Sequence, residues 1–213
     1  MRTIHALPAD PRAAAALRSW ADGSDAYLDV VRLDLSEADL SGADFAMGLL
    51  CEAVLRRTKL IGADLYRAHL EGAVLDEADL TDACLVKAVL DEGSMRGTVL
   101  RGANLGSAEL FSVDARSADF TSARLNGASL CEVQLQGADL TDASVRETSL
   151  RAAVLDARTV VRGMAGTLFG SAVVAYDGGR RELAGGDLEQ WLSARGARVR
   201  VLEPRGRRGF PAG

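Results

Sequence analysis

A chain of 213 residues fits one domain, or one domain with a small appendage, and its formal net charge is only −5. Apolar residues make up 48% of it but aromatic residues only 5%, which favours a narrow interior over a broad globular core. Because no apolar run approaches the ~18 residues of a membrane span, and residues 1–10 contain no apolar leader, the sequence predicts neither membrane insertion nor secretion.

Residues 1–27 are predicted to form an N-terminal cap with one short helix. Asp10 is a suitable N-cap residue and Pro11 a suitable first residue for a helix that ends near Ala21. Three apolar residues share one face of this helix: Ala13, Leu17 and Trp20. The alternative for Trp20 is a ligand platform.

Residues 28–160 carry a large apolar side chain at every fifth position, and a small residue, usually alanine, two positions before it. From Val30 to Val160 only Ala115 is undersized. A period of five matches neither an amphipathic helix nor a one-faced strand. Self-similarity at a short fixed period instead predicts a solenoid, whose units bury their apolar side chains by stacking on one another.

The repeat unit is Ala-(Asp/Asn)-Leu followed by two variable residues, as in 38–42, 78–82 and 138–142. About 27 such units resemble the pentapeptide-repeat family. The resemblance implies an all-β fold, a right-handed quadrilateral parallel β-helix with 20 residues per coil. It also implies that the central residue and the small residue point inward and that the other three positions point outward.

One pair of irregular units supports the 20-residue coil. Met95, which follows Gly93, and the small Ala115, which follows Val113, are 20 residues apart and would stack in adjacent layers. Volume lost in one layer is then returned in the next, as a close-packed interior requires.

The three cysteines are predicted to be unpaired. The coil places Cys51 and Cys131 outward on one side, four coils or about 19 Å apart, and Cys84 on another side. Free thiols at these positions favour a reducing, cytoplasmic location.

Residues 161–202 are predicted to form a small C-terminal α+β module. Residues 172–176 and 180–183 indicate two strands joined by a hairpin turn, and Asp187 with Gln190 indicates a capping box at the start of a helix that Gly196 ends. A further strand alternates around Val199 and Val201. The resemblance implies that one helical face forms either a cap or a homodimer interface: Leu188, Trp191 and Leu192. Residues 203–213 are predicted to be disordered.

The charge is divided unevenly along the chain. Residues 28–157 hold 22 acidic and 12 basic residues, whereas residues 158–213 hold 5 acidic and 10 basic residues. Position in the 20-residue coil concentrates the acids on two sides, which we predict to be neighbours. The first side displays Glu52, Glu71, Asp91, Glu92, Glu109 and Glu132, and the second displays Asp39, Asp79, Asp82, Asp119, Asp139 and Asp142.

These acids suggest a partial imitation of DNA. The net charge of residues 28–157 spread over a rod of about 32 Å is roughly half the charge density of duplex DNA. The resemblance implies a DNA-mimicking binder of DNA gyrase or topoisomerase IV that acts in antibiotic resistance or self-immunity. The alternative is a structural or protein-interaction scaffold whose acids serve only solubility. Direct binding of nucleic acid by the arginine-rich tail is disfavoured, because the acidic rod repels phosphate.

No catalytic, metal or cofactor site is predicted. The cysteines and the two histidines lack zinc-binding spacing, and the glycine-rich stretches lack the lysine of a phosphate loop. His69 should point outward beside Glu71, with no nucleophile next to a base. The sequence therefore predicts a non-enzymatic protein without a small-molecule substrate.

Overall fold

Four ladders of parallel β-bridges form the body of the protein. The computed structural model describes residues 4–202. From Asp29 onward each bridge joins residue i to residue i+20, as in Asp79↔Val99, and successive ladders begin five residues apart. One coil therefore has four sides and 20 residues. The chain is a parallel β-helix of the kind that the five-residue period predicts.

The interior of the coil is a dry apolar column. Both the central leucines and the alanines two positions before them are almost completely buried, for example Leu85 and Ala83, each with no exposed surface. The second residue after each central residue turns the corner with positive φ, for example 53° at Arg57 and 67° at Gly102. An L-amino acid in this region costs free energy. Burial of the column and the ladder hydrogen bonds offset that cost.

The irregular units at Met95 and Ala115 stack as predicted. Ser94 pairs with Asp114 in one ladder, and Met95 and Ala115 beneath them are both fully buried. Val113 occupies the position of the usual small residue and is also buried. The larger Val113 beside Ala115, and Met95 in the next layer, keep the column filled.

The five-residue register does not continue unbroken to Val160, and this part of the prediction is wrong. Val160 is 41% exposed and Val161 is buried instead. Three buried threonines donate a hydrogen bond to the carbonyl 23 residues earlier: Thr58, Thr98 and Thr148. Thr159 makes the same bond to Leu135, 24 residues earlier. One extra residue therefore lies between Leu155 and Thr159, on an exposed corner that Asp156 holds by accepting backbone N–H bonds from Arg158 and Thr159.

Helix α1 (Pro11–Ala21) packs on the first coil. The Asp10 carboxylate accepts hydrogen bonds from the backbone N–H groups of Arg12 and Ala13, as expected for an N-cap. The Trp20 ring lies 4.9 Å from the Phe45 ring, centroid to centroid, and is 2% exposed. Trp20 is thus a core residue, and a ligand platform at this position is excluded by its burial.

The parallel stacking continues past residue 160. Strand β1 (Ser144–Ser149) pairs with β3 (Ala165–Phe169), which pairs with β6 (Arg198–Leu202). Strand β2 (Ala153–Asp156) pairs with β4 (Ser171–Tyr176), which forms an antiparallel hairpin with β5 (Gly179–Ala184). The register shift between Val145 and Thr148 removes the extra residue acquired earlier.

Helix α2 (Gly185–Ser193) follows β5 directly. The predicted capping box is wrong, because the helix begins two residues before Asp187 and its N-cap, Ala184, makes no side-chain hydrogen bond. The strand runs into the helix without a loop, so Asp187 falls within the first turn instead of preceding it. There its carboxylate lies 3.6 Å from the Arg181 guanidinium group.

Candidate functional site

The two acidic sides lie on opposite faces of the β-helix, and the prediction that they are neighbours is wrong. Asp39, Asp79, Asp119 and Asp139 follow one another in one ladder. Glu109 belongs to the ladder that contains His69 and Val89. The ladders that begin at Asp34 and Asp44 separate these two, one on each side. The predicted acids therefore flank the rod instead of forming one broad surface.

Four aspartates of the first of these ladders hold their own corners. Each half-buried carboxylate accepts a hydrogen bond from the backbone N–H two residues later, at 2.8–3.3 Å: Asp39, Asp79, Asp119 and Asp139. The Ser41 hydroxyl also donates to Asp39, and these bonds lower the pKa of that carboxyl group. The aspartate of the repeat unit is thus structural as well as charged.

Four of the twelve predicted acids have a basic neighbour. Glu52 receives two hydrogen bonds from the Arg32 guanidinium group, at 2.7 and 2.8 Å, which lower the pKa of its carboxyl group. Asp39 lies 3.6 Å from the Lys59 ammonium group, and Asp119 lies 2.5 Å from Arg101. Glu71 contacts His69. These contacts reduce the outward negative charge at those positions.

The remaining eight acids have no ion pair within residues 4–202: Asp79, Asp82, Asp91, Glu92, Glu109, Glu132, Asp139 and Asp142. Five of them are also exposed: Asp82, Glu92, Glu109, Glu132 and Asp142. Uncompensated carboxylates remain on both flanks. The strongest negative surface is therefore smaller than the sequence predicted, and it is divided in two.

A third face, between these flanks, carries stacked arginines whose pairing the sequence did not reveal. The Arg116 and Arg96 guanidinium groups contact the Asp114 carboxylate at 2.6–2.8 Å and lower its pKa to about 2. Arg158 contacts Asp156 in the same way at 3.0 Å. Each pair joins residues that face each other across a corner or between coils, so this face is nearly neutral.

A thiol, a carboxylate and an imidazole lie in a row on the Glu109 flank. The Cys51 Sγ atom is 3.2 Å from Glu71, whose other oxygen is 3.0 Å from His69 Nδ1. The expectation that no nucleophile would lie next to a base is therefore wrong for Cys51 and Glu71. Burial and the contact with Glu71 raise the pKa of the thiol, which disfavours the thiolate that nucleophilic chemistry needs.

The three cysteines are free, but Cys131 is not outward as predicted. Its side chain is 9% exposed and contacts the hydroxyl groups of Ser129 and Ser149. The position directly after the central residue is tucked against the next coil, so small side chains there become buried. The described residues contain no group of three or more metal-ligating side chains. No helix between residues 4 and 202 is long and apolar enough to cross a membrane.

Helix α2 buries two of its three predicted interface residues within the chain. Leu188 and Leu192 are at most 1% exposed and belong to the same apolar cluster as Leu168. Trp191 is half-buried, and the Arg195 guanidinium group stacks 3.8 Å from its ring centroid. Leu188 and Leu192 cover the end of the column, so of the three only Trp191 is accessible to a second copy. The arginines of residues 203–213, and the predicted disorder there, lie outside the described residues.

Comparison with known proteins agrees with this architecture. The family model for pentapeptide repeats matches residues 34–72, 53–91 and 116–151, with eight copies. The chain is similar to HetL, a pentapeptide repeat protein involved in heterocyst differentiation regulation from the cyanobacterium Nostoc sp. strain PCC 7120, at 29% identity and a TM-score of 0.64. That match covers 73% of this chain and 77% of HetL.

Two further solved structures share less with the chain. Rfr23, a pentapeptide repeat protein from the cyanobacterium Cyanothece 51142, is 24% identical over 56% of this chain and 89% of its own, with a TM-score of 0.40. A trypsin-treated variant of QnrB1, a plasmid-mediated fluoroquinolone resistance protein, is 15% identical over 81% of this chain and 92% of its own, with a TM-score of 0.42. No curated protein matches the chain.

Proposed function

Because the chain belongs to the pentapeptide-repeat family, we propose that it is a non-enzymatic acidic rod that binds a DNA-handling protein in place of DNA. DNA gyrase or topoisomerase IV is the proposed partner, and protection or inhibition of that enzyme is the proposed effect. One observation supports this function above the others: eight outward carboxylates have no ion pair within residues 4–202.

The division of these acids between two flanks changes the kind of partner surface that fits. A protein that grips duplex DNA surrounds it and contacts both phosphate backbones. A rod with carboxylates on opposite faces suits such a cleft better than it suits a flat basic surface. Adjacent coils are ~4.8 Å apart, so the carboxylates of one ladder are spaced more widely than phosphates along the duplex. The imitation is therefore partial, and binding should depend on salt.

A supercoiling assay with purified gyrase, with and without a quinolone, tests this proposal. We expect the chain to inhibit supercoiling or to protect it from the drug, and we expect the effect to weaken between low and physiological salt. Asp82→Asn, Asp142→Asn, Glu92→Gln and Glu109→Gln together should reduce the effect at least tenfold, on the order of 1.4 kcal/mol, because two charges leave each flank.

A matched control is Glu37→Gln with Glu77→Gln, on the face where acids and arginines alternate. This pair should leave the effect nearly unchanged, because Glu37 is already neutralised by Arg57 at 2.7 Å. Absence of binding, inhibition and protection at low salt would end the proposal of DNA mimicry.

A second candidate is a regulatory interaction scaffold without DNA mimicry. The similarity to HetL, which is involved in the regulation of heterocyst differentiation, favours it. So does the structural use of the Asp39, Asp79, Asp119 and Asp139 carboxylates at their own corners. This candidate predicts partner binding that survives the fourfold charge removal.

A further inference from the structure

One exposed aromatic side chain lies in the middle of the uncompensated acids on the Glu109 flank. Phe111 is 38% exposed, although it is large and apolar. By its position in the coil it lies one layer below Asp91 and Glu92, beside Glu109, and one layer above Glu132. We call these five residues the Phe111 patch. None of its four acids has a basic partner among the described residues.

Two of these carboxylates are held in place by uncharged donors. The backbone N–H of Phe111 donates to the Asp91 carboxylate at 2.7 Å, and the Ser112 hydroxyl donates to Glu132 at 3.3 Å. Such bonds orient a carboxylate without removing its charge. The other exposed acids near aromatic or apolar residues differ, since Glu52, for example, is neutralised by Arg32. The Phe111 patch thus combines an ordered negative field with an apolar ring.

We propose that the Phe111 patch docks a basic segment of the protein partner, with an arginine guanidinium group stacked on the Phe111 ring. Arginine is planar and weakly hydrated, so it covers an aromatic face while its N–H groups reach neighbouring carboxylates. A lysine ammonium group is strongly hydrated and matches the ring less well. This inference rests on the proposed function, in that the acidic surface meets a protein, and it names the part of that surface that selects the partner.

Other occupants fit this surface poorly. A nucleic acid would meet four uncompensated carboxylates and be repelled. A wholly apolar partner would bury those carboxylates without a counter-charge, which costs more than covering one ring returns. A partner with arginines satisfies both the ring and the acids, and an aromatic anchor surrounded by polar groups is the usual arrangement of an interface centre.

Two labelled peptides test the inference with the full chain. One is a twelve-residue peptide of alternating arginine and glycine, and the other replaces each arginine with lysine. Fluorescence anisotropy should give roughly two- to fivefold tighter binding of the arginine peptide, the range expected for one exposed cation–π contact. Phe111→Leu should abolish this preference while binding of both peptides persists.

The charge arm uses two double variants that remove equal charge from opposite flanks. Glu92→Gln with Glu109→Gln should weaken binding of both peptides and reduce its salt dependence, whereas Asp82→Asn with Asp142→Asn should leave both unchanged. Circular dichroism confirms that each variant is folded. Equal affinity for the two peptides, an arginine preference that survives Phe111→Leu, or equal losses from the two double variants would overturn the inference.

The gyrase assay separates this inference from the proposed function. If the chain acts on gyrase and Phe111→Leu leaves that action and the peptide affinities unchanged, the docking inference fails alone. If the arginine preference holds but the chain has no effect on gyrase, the choice of partner fails alone.

Discussion

Deletion of Lys87 is expected to destabilise the protein by more than about 5 kcal/mol, beyond the range of ordinary substitutions. Lys87 is an exposed corner residue in the middle of the rod. Its loss would either turn Asp91 toward the column in place of Leu90, or leave one side a residue short, a deficit of about 3.3 Å of strand. Urea unfolding followed by circular dichroism measures the effect.

Deletion of Ala157 is the matched control and should be tolerated. Ala157 is also exposed, and it lies on the corner that contains the extra residue. Without it, Asp156 and Arg158 form an ordinary two-residue corner, and Thr159 and Val161 keep their inward positions. The change in unfolding free energy should stay within about 1.5 kcal/mol. Equal destabilisation by both deletions would refute the described register.

Replacing Trp20 with alanine should lower the free energy of unfolding by about 3–5 kcal/mol, the usual cost of removing a buried aromatic side chain. Trp20 is 2% exposed and packs on Phe45 at 4.9 Å, so its loss leaves a cavity between helix α1 and the first coil. Thermal and urea unfolding report the change. We also expect faster proteolysis within residues 10–30, because the first coil then loses its cover.

The other tryptophan provides the control for that substitution. Trp191→Ala removes a half-exposed ring whose described contact is the Arg195 guanidinium group at 3.8 Å. The expected loss is at most about 1 kcal/mol, the range of an exposed cation–π contact. A cost for Trp191→Ala as large as that for Trp20→Ala would show that helix α2 depends on this ring more than its burial indicates.

Most of the solenoid follows from the sequence because one physical constraint repeats without loops. A dry column accepts only apolar central residues, so Leu85 and Leu105 identify their own depth, and the spacing of Met95 and Ala115 identifies the layer. The N-cap at Asp10 was equally predictable, because the carboxylate and the following Pro11 satisfy local backbone requirements.

The departures have identifiable causes. Both Val160 and Val161 suit the column, so apolar pattern alone cannot choose between them, and the choice is made by the Thr159 bond to the Leu135 carbonyl. Helix α2 begins early because β5 leads directly into it, a tertiary effect that a local capping motif does not contain.

The candidate site was predictable in composition but not in arrangement. Sides whose central residues are ten positions apart face away from each other, a geometric consequence of the four-sided coil that separates Asp79 from Glu109. Which acids keep their charge depends on side-chain contacts such as Arg32 with Glu52, which the repeat pattern does not specify. The ring of acids around Phe111 emerges only when residues 20 apart are placed in adjacent layers.

Disulfide formation between introduced cysteines tests the central claim, that coil arithmetic determines which outward residues are neighbours. In a background with Cys51, Cys84 and Cys131 replaced by serine, Asp79→Cys with Val99→Cys should cross-link, because adjacent strands ~4.8 Å apart satisfy disulfide geometry. Asp139→Cys with Val160→Cys should cross-link as well, whereas Asp139→Cys with Thr159→Cys should not, because Thr159 points into the column. Failure of the first pair, or cross-linking of the third in place of the second, would contradict the account.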